Sequence, residues 1–269
     1  MKTELNRLVV GIKGAGEMAS AVAWRLYMAN IRSICMLETP APLAVRRAVS
    51  FCEAVYKGNA TVEGVEAVKV GDGEGIQAAW NRKKIAVLVD PDWQILKALT
   101  PRIVIDAILA KVNMGTAPSD AQLVIGLGPG FNAPADVHMV IETNRGHHLG
   151  RIITDGGAEP DTGIPGNIGG YTEQRVLRAP LDGIFKTRHS ITDLVKSGDV
   201  TGTVEDEKVC AGIDGVLRGL IRSGSRVRKG MKIGDIDPRK DKSYCYTISD
   251  KARAIGGSVL EGVMRVFNS

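Results

Sequence analysis

Aromatic side chains are scarce in this 269-residue chain, with three Trp, five Tyr and four Phe making 4% of it. Without aromatics interleaved among its basic residues there is no platform for stacking bases, so nucleic acid is not an expected partner. Cysteine is as sparse: Cys35, Cys52, Cys210 and Cys245 show no CxxC spacing and no histidines nearby. That pattern argues against a zinc site or a disulfide framework and for reduced, mostly buried thiols. Cys52, beside Arg46 and Arg47, is the one candidate for a reactive thiolate. The four histidines, His138, His147, His148 and His189, form neither HxxxH nor HExxH, so no metal site is expected. No nucleophile-elbow motif supports hydrolase chemistry either. Apolar runs are all too short for a membrane span, and the polar start Met1 to Asn6 does not resemble a signal peptide. The expectation is a cytoplasmic protein with no membrane partner.

What is present begins with a glycine turn. The apolar run Leu8 to Ile12 leads into Gly14-Ala15-Gly16-Glu17-Met18-Ala19, an alanine-rich segment follows to Ala29, and a second run, Ile34 to Leu37, ends on Glu38. This is the strand, turn, helix and strand order of a dinucleotide-binding unit. Gly14 permits the turn, Gly16 lets backbone approach a pyrophosphate, and Ala19 is small enough for helix to lie on strand. Glu38 is placed to accept hydrogen bonds from a ribose. Glu17 argues the other way, because a carboxylate in the first helical turn repels a phosphate bound there.

Further apolar runs at Ile85 to Val89, Ile103 to Ile105 and Leu123 to Gly126 read as buried parallel strands with helical stretches between. The expected fold class is therefore α/β, with an N-terminal Rossmann-like, doubly wound nucleotide-binding domain over residues 1–175. Asp155 to Gly170 holds eight Gly and Pro in sixteen residues, a linker or an ordered functional loop.

The last third carries a repeat. Ala179-Pro180-Leu181-Asp182-Gly183 recurs thirty-two residues later as Ala211-Gly212-Ile213-Asp214-Gly215, and the same offset maps Val195 onto Val227, Gly198 onto Gly230 and Gly202 onto Gly234. Two copies with short apolar runs and glycine turns imply two similar β layers related by a pseudo-twofold axis. The pattern resembles the barrel-sandwich hybrid of biotinyl and lipoyl domains, expected here over residues 176–269. Lys208 lies only three residues before the second copy begins, which leaves little room for a lysine-presenting hairpin, so it is read as unmodified. All of the net +5 falls after residue 175, with Arg218, Arg222, Arg226, Arg228, Lys229 and Lys232 the densest stretch. A solvated basic face or an acidic protein partner accounts for it.

Several blocks resemble one family. They include Lys13-Gly14-Ala15-Gly16, Glu38-Thr39-Pro40, Arg46-Arg47-Ala48-Val49-Ser50-Phe51, Gly128-Pro129-Gly130-Phe131, Glu142-Thr143-Asn144-Arg145-Gly146-His147 and Thr162-Gly163-Ile164-Pro165-Gly166. Together they are similar to the YqeB-type proteins, accessory factors of selenium-dependent molybdenum hydroxylases. The resemblance implies a maturation factor concerned with the molybdenum cofactor or its selenium, whose partners are the hydroxylase or its maturation machinery, with a homo-oligomer as a further possibility.

Around the turn, Arg46 and Arg47 are candidates for phosphate or the adenosine end of a nucleotide, and Gly128 and Gly130 for a second anion loop. Glu38 opposes a 2′-phosphate, so NAD or a molybdopterin-type dinucleotide is the expected cofactor. Lys111, past the strand ending at Asp106, is a candidate acid, base or nucleophile. His147 is another, with Glu142 to orient it. Two other readings stand beside the maturation factor: an NAD-dependent oxidoreductase acting on a small molecule through Lys111 or His147, and a scaffold whose nucleotide-binding domain is vestigial.

Overall fold

Continuous apolar runs that punctuation residues cut to about five residues cannot each bury themselves, and in the computed structural model, which describes residues 5–268, they pair side by side. The chain divides into two units. One comprises Met1–Pro42, Ser50–Asp161 and Ile248–Ser269; the other comprises Leu43–Val49 and Thr162–Thr247. The main division thus falls at residue 161 and not at 175, and the last helix returns to the first unit.

The first unit is built on β1 (Val9–Lys13), α1 (Glu17–Met28), β2 (Ser33–Glu38), α2 (Ala54–Lys57), β3 (Asn59–Val62), β4 (Val65–Val70), α3 (Gly73–Asn81), β5 (Ile85–Val89), α4 (Ile95–Leu99), β6 (Ile103–Asp106), β7 (Leu123–Leu127), β8 (Asn132–Ala133), β9 (Met139–Ile141), β10 (Ile152–Ile153) and β11 (Gly156–Gly157). Nine strands form one sheet in the order β10-β9-β7-β6-β1-β2-β5-β4-β3. Its seven inner strands run parallel, while β10 and β3 pair antiparallel at the two edges. Asp72 starts α3 by accepting the Gly75 amide at 2.8 Å. With α4, α3 covers the face carrying Cys35, Leu37, Ala86 and Leu88. Burial pushes the Cys35 thiol up to about 12, with Asp90 adding in the same direction.

The expected doubly wound domain is corrected here. The sheet is mixed, and the connections from β6 to β7 and from β7 to β9 contain no α-helix. Phe131, Ala133 of β8 and Val137 cover Val104, Val124 and Val140 instead. A helix from the far end of the chain, α5 (Asp250–Phe267), packs on α1 and on β7 and β9. Gly256 makes its contact with α1 close, since a Cβ there would lie 3.1 Å from the Ala21 carbonyl oxygen. No local pattern announces α5 as a partner of α1, because 228 residues separate Arg25 from Arg253, whose carbonyl accepts from the Arg25 guanidinium at 3.5 Å.

In the second unit, β12 (Val176–Arg178), β13 (Gly183–Lys186), β14 (Leu194–Val195) and β15 (Val200–Val204) precede β16 (Glu207–Cys210), β17 (Gly215–Leu220), β18 (Arg226–Val227) and β19 (Lys232–Asp237). They form two antiparallel sheets, β12-β19-β17-β14 and β16-β15-β13-β18. The thirty-two-residue offset sends β12 to β16, β13 to β17, β14 to β18 and β15 to β19, so exchanging the copies turns one sheet into the other, strand for strand. Each copy lends strands to both sheets, and Leu177, Phe185, Val204, Val209, Leu217 and Ile236 fill the core between them. Two interleaved antiparallel sheets, together with the inserted segment Leu43–Val49, replace the biotinyl- or lipoyl-like domain expected over 176–269. Val45 belongs with this unit because its carbonyl accepts the Leu220 amide at 2.8 Å.

A charged network is buried on the first of these sheets. Arg175 pairs with Asp235, and Arg218 donates to the same carboxylate from Nε and Nη2 at 2.9 and 2.6 Å. Arg218 Nη1 lies 3.2 Å from Asp237, which also accepts from Arg239 at 2.9 and 2.6 Å. Burial pushes the Asp235 carboxyl up, yet Lys232, Arg218 and Arg175 outweigh it and hold the group at about 2.

Candidate functional site

The glycine turn sits at the carboxyl edge of the nine-stranded sheet, between the ends of β1 and β2. Gly14 has φ +94°, and a Cβ there would stand 3.3 Å from the Ala107 carbonyl oxygen, so both conformation and close approach require glycine. Its amide bonds to the Leu37 carbonyl at 2.8 Å. Behind the turn, the Ala15 carbonyl accepts from the Cys52 amide at 2.8 Å and from the Ser20 hydroxyl at 3.0 Å. Ser20 in turn takes the Phe51 amide at 2.7 Å. These bonds fix the turn from one side.

The other side is open. A Cβ at Gly16 would meet no atom within 4 Å. Gly16 caps α1 without a side-chain hydrogen bond, and the first bond closing the helix runs from the Ser20 amide to the Gly16 carbonyl at 2.8 Å. The amides of the first turn lie before that bond and have no intrahelical acceptor. Glu38 Oε2 accepts the Ala15 amide at 2.9 Å and Oε1 the Thr39 amide at 2.8 Å. The carboxylate is therefore oriented by the turn itself, and each oxygen keeps lone-pair capacity for a further donor. Glu17, the residue expected to repel a phosphate, directs Oε1 to the Ser249 hydroxyl at 3.0 Å.

Lys13, the last residue of β1, is a feature the sequence reading passed over. Only 1% of it is exposed. Its ammonium donates to Thr116 Oγ1 at 2.8 Å and Asp120 Oδ2 at 3.0 Å, and lies 4.2 Å from the centre of a Trp93 ring. Thr116 Oγ1 in turn donates a hydrogen bond to Asp106 Oδ2 at 2.7 Å. A lysine at the end of a buried strand is the available signal, because an ammonium out of water requires partners. The network pins the base of the segment after β6. Farther along, Leu109 and Lys111 adopt φ +61° and +65°, and Val112 and Met114 are exposed.

The remaining candidates lie elsewhere or are otherwise engaged. Arg46 and Arg47 fall in the second unit. Arg46 donates to the Tyr244 and Thr247 carbonyls at 2.8 and 2.9 Å, and Arg47 to the Leu220 carbonyl at 2.6 Å. Both guanidiniums, expected as phosphate ligands, are directed to backbone carbonyls of their own unit. The Gly128 amide bonds to the Ile141 carbonyl at 2.9 Å, and a Cβ at Gly130 would stand 2.6 Å from the Val112 nitrogen. That turn is packed against the segment after β6, where an open anion loop was expected. Lys111 is exposed and pairs with Asp161. His147 is exposed beside His148, their ring centres 5.0 Å apart. Glu142 does not orient it: the buried carboxylate accepts the Asn144 and Glu159 amides at 2.6 and 2.7 Å. Cys52 is 1% exposed, not at a surface where a thiolate could react. Ala19, in the first turn of α1, is fully buried.

No helix among the described residues is long and apolar enough to cross a membrane. No protein-family model matches the chain. Among solved structures, it is similar to an aspartoacylase family protein from Mesorhizobium loti, at 15% identity, over 85% of this chain and 84% of that one, with a TM-score of 0.26. The product-bound ectoine utilization protein EutE from Ruegeria pomeroyi matches at 11% identity over 75% and 56%, with a TM-score of 0.24. Scores this low carry nothing over to the present chain. A sequence relative is much nearer: the uncharacterized protein YqeB of Escherichia coli K12 is 48% identical over 263 residues, which span 98% of this chain and 48% of that protein. The chain is thus a relative of YqeB over nearly its whole length, and it spans about half the length of that protein.

Proposed function

We propose that this chain binds a dinucleotide at the Gly14–Ala19 turn, as part of an accessory protein that matures a selenium-dependent molybdenum hydroxylase. The observation that carries the binding is the pairing of an open helix start at Gly16 with a Glu38 carboxylate oriented by the Ala15 and Thr39 amides. An anionic phosphate belongs at the first, where the amides of the first helical turn and the helix dipole converge. A ribose diol belongs at the second, as a pair of donors to a fixed acceptor. Glu17 keeps its charge in the first turn, with Oε1 held by the Ser249 hydroxyl. The maturation role rests on the resemblance to YqeB-type proteins.

NAD and a molybdopterin-type dinucleotide fit this chemistry. NADP fits less well, since its 2′-phosphate meets Glu38 and the guanidiniums of Arg46 and Arg47 are spent on carbonyls. Gly16→Asp is the discriminating variant. Aspartate is a favoured N-cap, so the fold is retained or stabilised by a few tenths of a kcal/mol, while its carboxylate occupies the cradle. Calorimetry with NAD, NADP, CTP and molybdopterin cytosine dinucleotide is expected to show one dinucleotide bound by the wild type and lost in the variant. Binding of none of the four, or binding indifferent to Gly16→Asp, would refute the proposal.

A further inference from the structure

The two sheets of the second unit are images of one another in sequence, but not in charge. On the first sheet, Arg218 is neutralised by Asp235 and Asp237. Thirty-two residues earlier, the equivalent positions are Lys186, Thr203 and Glu205. The cation is kept. The first carboxylate has become a neutral hydroxyl, and Glu205 turns its Oε1 onto the Ile184 amide at 2.8 Å.

Register places the rest. Lys186 pairs across with Thr203, and Thr203 with Lys208, on three adjacent strands. Ile184 pairs with Arg226 on the fourth. Phe185, Val204, Val209 and Val227 are buried, so by alternation their neighbours Lys186, Thr203, Lys208 and Arg226 share the outer face. Lys186, Lys208 and Arg226 are exposed, and none has a side-chain hydrogen bond or ion pair among the described residues. With strands about 4.8 Å apart, the two lysines root about 10 Å from each other, near the screening length of physiological salt. The hairpin end carries Asp206 and Glu207, both exposed, with Glu207 opposite Val204 and not opposite Thr203. The unit as a whole holds 17 basic and 11 acidic residues, a net +6.

We infer that the outer face of the β16-β15-β13-β18 sheet docks an acidic protein segment, whose Asp or Glu carboxylate sits over Thr203 between Lys186 and Lys208 as Asp235 sits beside Arg218 in the sister sheet. The one aromatic among these paired positions, Phe185, is buried and points away from the outer face, so stacked bases have no platform there and a polypeptide is the fitting anion. The inference is independent of the nucleotide reading.

The test uses a fluorescein-labelled dodecaglutamate peptide and the full chain, read by anisotropy at 50 mM NaCl. Wild-type protein is expected to bind, and Lys186→Gln/Lys208→Gln to bind at least tenfold more weakly with an unchanged melting temperature. Lys97→Gln/Lys240→Gln removes the same charge elsewhere and is expected to stay within about twofold of wild type. Any of four results overturns the inference: no wild-type binding, no loss in the face variant, an equal loss in the control variant, or a twelve-residue oligothymidylate that binds as tightly and responds to the same two lysines.

Discussion

Replacing Asp235 by asparagine removes the one carboxylate that faces Arg175, Arg218 and Lys232 together. Asp235 is 1% exposed, and Arg175 and Arg218 are 5% and 9% exposed. Asparagine keeps the volume but removes the charge that Arg175 and Arg218 share, leaving Arg218 with Asp237 alone as its carboxylate, a loss of about 3 kcal/mol, the low end for a buried pair broken on one side. The exposed end of Lys232 adds little. Acid supplies an independent measure. A carboxyl held at about 2 instead of 3.8, at about 1.4 kcal/mol per pH unit, contributes on the order of 2 kcal/mol. Because the folded value is the lower one, that stability is fully present above pH 4 and disappears as pH falls through 2. Urea unfolding of both proteins at pH 7, followed by melting between pH 5 and 2, reads the two effects. The wild-type β unit should lose stability over the acid range, and Asp235→Asn should start lower and respond less. A variant within about 1 kcal/mol of wild type at pH 7, or an acid profile parallel to wild type, would refute the account of this network.

Two further outcomes follow from packing and burial. Gly130→Ala forces a Cβ to within 2.6 Å of the Val112 nitrogen at a φ of +107°, so it should cost at least about 2 kcal/mol in denaturant unfolding, whereas Gly16→Ala, with open space before it, should cost under about 1 kcal/mol. Iodoacetamide at pH 8 should label exposed Cys210 first. Cys35 and Cys245, whose thiols burial pushes up, should react only on unfolding, as mass spectrometry of the intact chain would show.

Spacing made much of the turn legible. The strand before Gly14, the helix after Gly16 and the strand ending on Glu38 stand at β1, α1 and β2, because a short apolar run, a glycine turn and a helical repeat are decided by neighbours along the chain. The repeat at thirty-two residues was equally local, and its strands correspond one to one. What failed was reach. Arg46 and Arg47 follow Glu38 by only a few residues, yet Val45 pairs with Leu220 and takes them into the other unit. Glu142 and His147 are five residues apart, and the carboxylate serves amides while the imidazole stands in solvent.

By itself, then, the sequence determined which residues form the turn, which carboxylate ends the second strand, and that the last third repeats. Tertiary structure decided that Lys13 is buried against Thr116 and Asp120, that Glu17 turns toward Ser249, and that α5 closes the first unit. It also decided that one copy of the repeat neutralises its arginine while the other leaves its lysines exposed. The division has a single physical reason: backbone conformation answers to neighbours a few residues away, whereas the state of a charged side chain answers to whatever distant segments bring within about 4 Å.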